Sequence, residues 1–365
     1  MMANPDESIT SMDGSGARRM PRVAVVILNW NGWRDTIECL ESLGRVSYDP
    51  FVIVVVDNAS ADESIQKLRD YCKGRVEVQS RFPNLSRAPE SKQMVEYTRA
   101  EAEQCSESGL PTLGSTPNKL LVLIRNERNS GFAEGSNIGI RFALSTMDPS
   151  YILLLNNDTV VDHAFLTQLV RVGESNSRIG IVGPKILYYD FRGKNDVIWY
   201  AGGRIDVWRE WVFYHIGIGK QDQGQFDTQA ETEWCTGAAF LMKNELVKTA
   251  LLNSAYLFGT EDVEYSINAR KHGFAVVYAP TAKVWHKVGV SREKVGNRIR
   301  RDIPGYFGFI RRNFPAHVYV YHVMLFLVVV LPRWAFTYVM ADRSSKTFGN
   351  FVTEVRKLAE SFVRR

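Results

Sequence analysis

The chain has 365 residues, 45% of them hydrophobic and 23% charged, with a formal net charge of +5. That is globular composition, with length for one large domain plus an appendage. Four well-separated cysteines without a CxxC pair suggest neither a zinc site nor a disulfide framework, which makes a reducing, cytoplasmic setting the default. The basicity sits at one end: residues 292–365 hold fourteen Lys/Arg against five Asp/Glu, a surplus that leaves residues 1–291 net acidic. No nucleic-acid partner is expected from such a distribution.

Residues 1–21 are polar, contain Gly, Ser and Pro, and lack the apolar core of a secretory signal, so they read as a disordered arm. The run RVAVVILNWNG predicts a buried strand ending at Asn29, with a helix from Trp33 to Leu43 behind it. FVIVVVDNASADES repeats the pattern: a strand from Phe51 to Val56, a polar turn, and a helix opened by a Ser60/Glu63 capping box. Residues 80–118 are polar and turn-rich and read as a surface insertion with a helical core. LLVLIRNERNSGFAEGSNIGIRFAL gives a third strand, turn and helix, and YILLLNNDTVVDHAFLTQLVRV a fourth, its helix starting near Asp162. Continuous apolar strands alternating with amphipathic helices mean a parallel sheet covered on both faces, whose ligands bind at the carboxyl ends of the strands.

Beyond Gly183 the spacing becomes aromatic and partly alternating, as in antiparallel strands. GTEDVEYSINARKHGFAVVYAPTAKVWH then reads as a helix capped by Gly273, a strand, a turn and a strand. The tail holds an apolar run from Val318 to Leu331, shorter than the roughly 18 residues that span a bilayer. Residues 350–365 place Phe351, Val355, Leu358 and Phe362 on one helical face. Apolar faces with basic flanks suit an anionic membrane surface, so peripheral association is expected. The alternative is a helical hairpin packed on the domain or on a dimer partner.

The strand-end residues Asn29, Asn31, Asp57, Asn58, residues 125–130 and Asn156 to Asp158 would converge on one crevice. Asp158, with no basic residue adjacent in sequence, suits a divalent cation that keeps waters and takes phosphate oxygens. It equally suits a helix or turn cap. Asp57 has the same ambiguity, its functional reading being an acceptor for a base N–H or a ribose hydroxyl. Gly131, Gly135 and Gly139 are spaced for close helix packing and match neither a GxGxxG fingerprint nor a P-loop. Glu261 and Asp262 open a helix, where carboxylates compensate the dipole or one serves as a general base. His286 is structural or completes a metal site with Asp158.

Taken in order, VVILNWNG, VVVDNASAD, RNERNSGFAEGSNIGI, LLLNNDTVVD, WCTGAAFLMKNE, GTEDVEYSINARKHGF and VWHKVGVS resemble the inverting glycosyltransferases of family 2, in their rhamnosyltransferase-like branch. The resemblance covers residues 22–291. It implies a GT-A fold, α/β with a Rossmann-like, mostly parallel sheet and helices on both faces, followed by a helical membrane-associating tail at 292–365. It further implies a nucleotide-sugar donor, bound through Asn29, Asn31, Asp57, Asn129, Gly131, Asn137 and Asn157. Mn²⁺ or Mg²⁺ would sit on Asp158 and His286, with Asp262 as catalytic base. Trp234, Thr236, Gly237 and Glu261 would line the site of a glycan or lipid-linked acceptor. Asn156 and Asn157 replace the first acidic residue of the family's DxD-like motif, which lowers the charge around the metal. The expected enzyme works at the cytoplasmic face of a membrane and is a possible homo-oligomer. A nucleotidyltransferase and a non-catalytic member of the fold are the alternatives; the former would need a Gly-rich loop with a basic residue after the first strand, which LNWNGWRD does not supply.

Overall fold

The computed structural model describes residues 11–12, 18–85, 91–108, 120–256, 259–288 and 295–341. Within the N-terminal arm, Ser11–Met12 and Arg18–Arg19 pair antiparallel. The domain then runs β1 (Val23–Asn29), α1 (Trp33–Leu43), β2 (Phe51–Asp57), α2 (Ser64–Cys72), β3 (Met94–Thr98), α3 (Arg99–Ser108), β4 (Leu121–Arg125), α4 (Gly131–Thr146), β5 (Tyr151–Asn156), β6 (Thr159–Val161), α5 (Phe165–Glu174) and β7 (Ile179–Tyr188). Short strands β8 (Ile198–Tyr200), β9 (Gly203–Ile205), β10 (Phe213–His215) and β11 (Ala230–Glu231) lead to β12 (Ala239–Lys243). After it come α6 (Asn244–Thr249), α7 (Glu261–Lys271), β13 (Ala275–His286) and α8 (Val295–Asn313).

The main sheet has the order β11-β13-β7-β12-β5-β1-β2-β4-β3. Neighbours are parallel from β5 through β1, β2 and β4 to β3, and again between β7 and β13. Only β12, wedged between β5 and β7, runs against both. Period-two burial splits β1 between two cores. Val23, Val25 and Ile27 meet α1, α2 and α5 on one face, while Ala24 and Val26 meet α3, α4, α6 and α7 on the other. The covered faces explain why the strands read as unbroken apolar runs. Successive strands leave β1 in opposite directions, to β2 and to β5, so the crevice expected at a topological switch lies beyond Asn29 and Asn156.

Several elements differ from expectation for identifiable reasons. Part of the expected insertion is structural: β3 is the edge strand, parallel to β4, and α3 carries Ala102 and Cys105 into the second core. Its Glu96 pairs with Arg69 and Arg125, a polar solution for a half-exposed edge. The Ser60/Glu63 capping box does not form; α2 starts at Ser64, and Ser60 instead donates to Asp57 Oδ1 at 2.6 Å. The helix after the NND turn begins at Phe165, because Thr159–Val161 first pairs antiparallel with Val284–His286. The strand, turn and strand expected at the end of the domain are one long β13, irregular in register between Ala279 and Lys283.

The basic tail is also more closely joined to the domain than expected. Tyr306, Phe309 and Ile310 of α8 enter a third core with Val212, Trp234, Tyr256 and Val263. The apolar run then continues as α9 (Ala316–Leu325), a π-helical turn at Phe326–Val330, and α10 (Leu331–Ala341). Pro332 has no N–H to give residue 328, and the widened turn just before it lets the helix continue. The result is 21 residues, Ala316–Phe336, long and apolar enough by length and composition to cross a membrane. This corrects the reading of a run too short to span. The amphipathic stretch 350–365 lies outside the described residues.

Candidate active site

One side of the crevice is a lattice of amides and hydroxyls around two strand ends. Asn29 is fully buried at the end of β1; its Nδ2 donates to Asp57 Oδ1 at 2.8 Å, and its Oδ1 accepts the Thr36 hydroxyl at 2.8 Å. Asp57, also buried, accepts the Ser60 N–H and hydroxyl besides Asn29, so three of its roughly four acceptor directions are filled. Asn31 lies exposed above it, its Oδ1 accepting the Ala61 N–H at 2.7 Å. Asn31 and Ala59 both have positive φ, 51° and 60°. For alanine this is an uncommon conformation, held here by the Asp57–Ser60 turn beside it.

Asn58, expected at the crevice as a strand-end residue but given no role of its own, is the hub of this half. Its Nδ2 donates to Asn129 Oδ1 and to the Gly131 carbonyl; its Oδ1 accepts Asn126 Nδ2 and the Ser130 N–H. The turn ahead of α4 is thereby tied to the end of β2. Asn129 also accepts the Gly131 N–H at 2.9 Å. Further along α4, a Cβ on Gly135 or Gly139 would lie 2.6 Å from Leu28 or 2.7 Å from Val26, so those glycines serve close packing on the sheet.

Past β5 the chain makes the tight turn Asn157–Asp158. Asn157 Nδ2 donates to Thr36 Oγ1 at 3.0 Å, which joins the turn to Asn29 through a hydroxyl that sequence reading missed. The antiparallel β6/β13 pair sets Thr159 opposite His286 and brings His286 Nε2 to 3.1 Å from Asp158 Oδ1. Asp158 is therefore not a helix cap. Burial acts to raise its pKa, but the His286 ring and the Lys287 ammonium hold it below the usual carboxylate range. Lys287 is itself clamped by Asp35 and Glu38, and its N–H donates to the Asp158 carbonyl at 2.9 Å.

The Asp158–His286 pair fits part of a hard-cation shell. Adjacent ligands of an octahedral ion with bonds near 2.1 Å lie about 3 Å apart, close to the observed separation of the pair. Among the described residues no group of three or more His, Cys, Asp or Glu is arranged to hold a metal. The pair would thus leave most positions to diphosphate oxygens and water. His286 Nδ1 is buried without a hydrogen-bond partner, so the ring lacks the outer anchor usual in metal-binding histidines.

Across the crevice, Asp262 stands in the first turn of α7. Its Oδ2 accepts the Gly237 N–H at 2.7 Å and its Oδ1 the Val263 N–H at 2.8 Å. Burial raises its pKa, with those backbone donors opposing the rise. The segment before β12 is laced to the same turn, since the Cys235 N–H donates to Ser266 Oγ, and Ser266 in turn donates to the Asp262 carbonyl. A Cβ on Gly237 would sit 3.3 Å from Phe132 of α4 and 3.5 Å from Asp262 Oδ2. One step on, the Asn156 N–H donates to the Ala238 carbonyl. Asp262, the strand that leads into the Asn157–Asp158 turn and the start of α4 therefore meet around Gly237.

Three expected contacts fall elsewhere. Asn137 is buried and clamps both backbone groups of Leu252, at 2.8 and 3.1 Å, so it holds a loop and does not face the donor. Trp234 is buried in the third core, its indole N–H donating to the Arg204 carbonyl, so it supports the segment before β12 from beneath. Glu261 turns back to accept the Gly259 and Thr260 N–H groups and is 4% exposed, so it braces the loop before α7 and does not reach an acceptor. Burial, then the neighbouring Asp262 charge, pushes its pKa up to about 7. Thr236 is buried, its hydroxyl accepting the Ala238 N–H at 3.4 Å.

A mostly parallel sheet with a polar crevice at its switch point, and with the carboxylates Asp158 and Asp262 on either side of it, is the framework of an α/β group-transfer enzyme. The family model described as glycosyltransferase-like family 2 matches residues 21–307. The chain belongs to that family and is a glycosyltransferase. Its fold is similar to that of the mannosyltransferase PcManGT from Pyrobaculum calidifontis, solved with GDP-mannose and Mn²⁺, at TM-score 0.50 and 16% identity over 93% of this chain and 75% of that one. It is also similar to GalNAc-T7, solved with UDP, GalNAc and Mn²⁺, at TM-score 0.51 and 15% identity over 86% of this chain and 57% of that one. No curated protein matches the chain in sequence.

Proposed function

We propose that the enzyme moves a hexose or deoxyhexose from a dTDP-, UDP- or GDP-sugar to a hydroxyl of a glycan or lipid-linked acceptor, with inversion. The observation that carries this reading is Asp262, a carboxylate whose pKa is raised by burial and which is fixed by the Gly237 N–H beside the Asn157–Asp158 turn. In this reading the acceptor hydroxyl attacks the anomeric carbon and gives its proton to Asp262, while the bond from that carbon to the diphosphate oxygen breaks. One displacement suffices, and no covalent intermediate forms. The nucleoside diphosphate leaves bearing the charge of the broken bond, while Asp57 would accept from its base or ribose and Asn157 would lie near the ribose. Asp158, with His286 beside it, would hold a Mn²⁺ or Mg²⁺ ion, which when bound supplies charge stabilisation to the departing diphosphate. The resemblance to the rhamnosyltransferase-like branch favours dTDP and a deoxyhexose, and the basic apolar C-terminal region favours acceptors presented at the cytoplasmic face of a membrane.

The test is a screen of dTDP-, UDP- and GDP-sugars with Mn²⁺, read by thermal shift and then by transfer, with the anomeric configuration of the product determined by NMR. One nucleotide should stabilise the wild type in a metal-dependent way and give an inverted product. A retained configuration would remove the single-displacement mechanism.

A further inference from the structure

We infer that the outer face of the helix Ala316–Phe336, together with the exposed tip of the β9–β10 hairpin, docks on the surface of an anionic lipid bilayer and lies in its plane. This gives a defined surface and a mode to the membrane contact proposed above. It does not depend on the transfer chemistry.

The helix is apolar on the wrong side for water. Val320, Met324, Leu327, Val328 and Phe336 are 58%, 55%, 52%, 65% and 68% exposed, and their spacing keeps them along one side of the helix. Between Arg312 and Arg333 there is no Asp, Glu, Lys or Arg. Trp208 continues the surface from the hairpin tip at 61% exposure, its ring edge-on to Tyr321 with centroids 5.3 Å apart. A contiguous exposed apolar surface on a folded chain marks an interaction site.

The opposite face decides against crossing. Phe326 and Val330 pack on Ile303 and Phe307 of α8. His322 is bonded through both ring nitrogens, to the Tyr306 hydroxyl at 3.2 Å and the Val207 carbonyl at 3.0 Å. The Tyr321 hydroxyl donates to the Trp208 carbonyl, and Arg333 grips Glu210. Threading this helix through a bilayer would strip each of those contacts, whereas lying half-immersed keeps them and buries only the exposed side.

Charge selects lipid as the occupant. Arg209 and Arg311 flank the apolar surface at the hairpin and before the helix, while Arg312 and Arg333 are paired with Glu264 and Glu210. Residues 342–365, which follow directly, add six Lys/Arg against three Asp/Glu and end on two arginines. An indole beside an apolar stripe with flanking cations suits the headgroup boundary of an anionic leaflet.

The experiment is sedimentation of the full chain with vesicles of phosphatidylcholine alone or mixed with phosphatidylglycerol, comparing wild type with Met324→Asp/Val328→Asp and with Trp208→Ala. The substituted positions are exposed, so the fold should tolerate the changes. Binding is expected to need the anionic lipid, to weaken with salt, to fall about tenfold or more in the double variant, and to give way to an alkaline wash. Turnover on a soluble acceptor should be the same in all three proteins, which separates this inference from the proposed reaction. Absence of vesicle binding would overturn it, as would binding that the double variant retains or that resists the alkaline wash. A dimer that the double variant converts to monomer, without lipid binding, would assign the face to a second copy instead.

Discussion

On the donor side of the crevice, amides and hydroxyls predominate, and Asn29, Asp57 and Asn58 spend most of their bonding capacity on one another and on neighbouring backbone. On the base side, Glu261 and Asp262 stand next to each other at one helix start with backbone N–H groups as their partners, and burial raises both. The first arrangement is rigid and nearly neutral, suited to receiving an anionic nucleotide without rearranging. The second keeps proton affinity high where the proposed reaction takes a proton. Shape is specified in one half and reactivity in the other, and substitutions should separate the two.

The largest effect should come from Asp262→Asn, which keeps the shape and removes the base. Transfer should fall roughly 10²–10⁴-fold with the melting temperature little changed, measured by steady-state kinetics and calorimetry. In the wild type, protonating this carboxylate disables it, so the rate should fall with decreasing pH at values above the ordinary aspartate range. Asp158→Ala should cost about 10²-fold in rate and abolish any Mn²⁺-dependent thermal shift with the nucleotide. If it left that shift intact, cation binding would have to be sought elsewhere.

Asn58→Ala addresses the donor half, since it leaves Asn126, Asn129 and the Ser130 N–H without a partner. Stability should drop by about 1–3 kcal/mol, with KM for the donor raised several-fold and kcat nearly kept. A loss confined to kcat would contradict the division of labour. The smallest expected effect is that of Glu261→Gln. The folded protein holds the Glu261 proton up to about pH 7, against an ordinary value of 4.5, so wild-type stability declines as pH rises through that window. The variant should match wild type below it and exceed it above, by roughly 1–3 kcal/mol in denaturant titrations.

The parallel core was legible because strands buried on both faces carry unbroken apolar runs, and Asp158 and His286 could be joined in sequence by family order alone. Their contact rests on the β6–β13 pairing, which three short, ordinary residues after the NND turn do not announce. The edge strand β3 was illegible for the opposite reason: MVEYT is half exposed and polar, so it lacks the signal that buried strands give. Amides were the hardest to sort, since Asn29, Asn58 and Asn137 look alike in a sequence whether they bind ligand, loop or one another. Trp234 misled as an acceptor aromatic because its burial depends on Gly203, where a Cβ would lie 2.4 Å from the indole.

The reversed strand β12, set between β5 and β7, gives the site a property that an all-parallel sheet would lack. Parallel strands arrive at the crevice with their carboxyl ends, whereas β12 departs from it, so the chain enters the sheet there carrying a free N–H, that of Gly237, for Asp262. The segment that feeds it comes from the aromatic hairpin region and is independent of the β–α crossovers that build the nucleotide side. Its length and composition can therefore vary while the amide lattice around Asn29, Asp57 and Asn58 stays as it is.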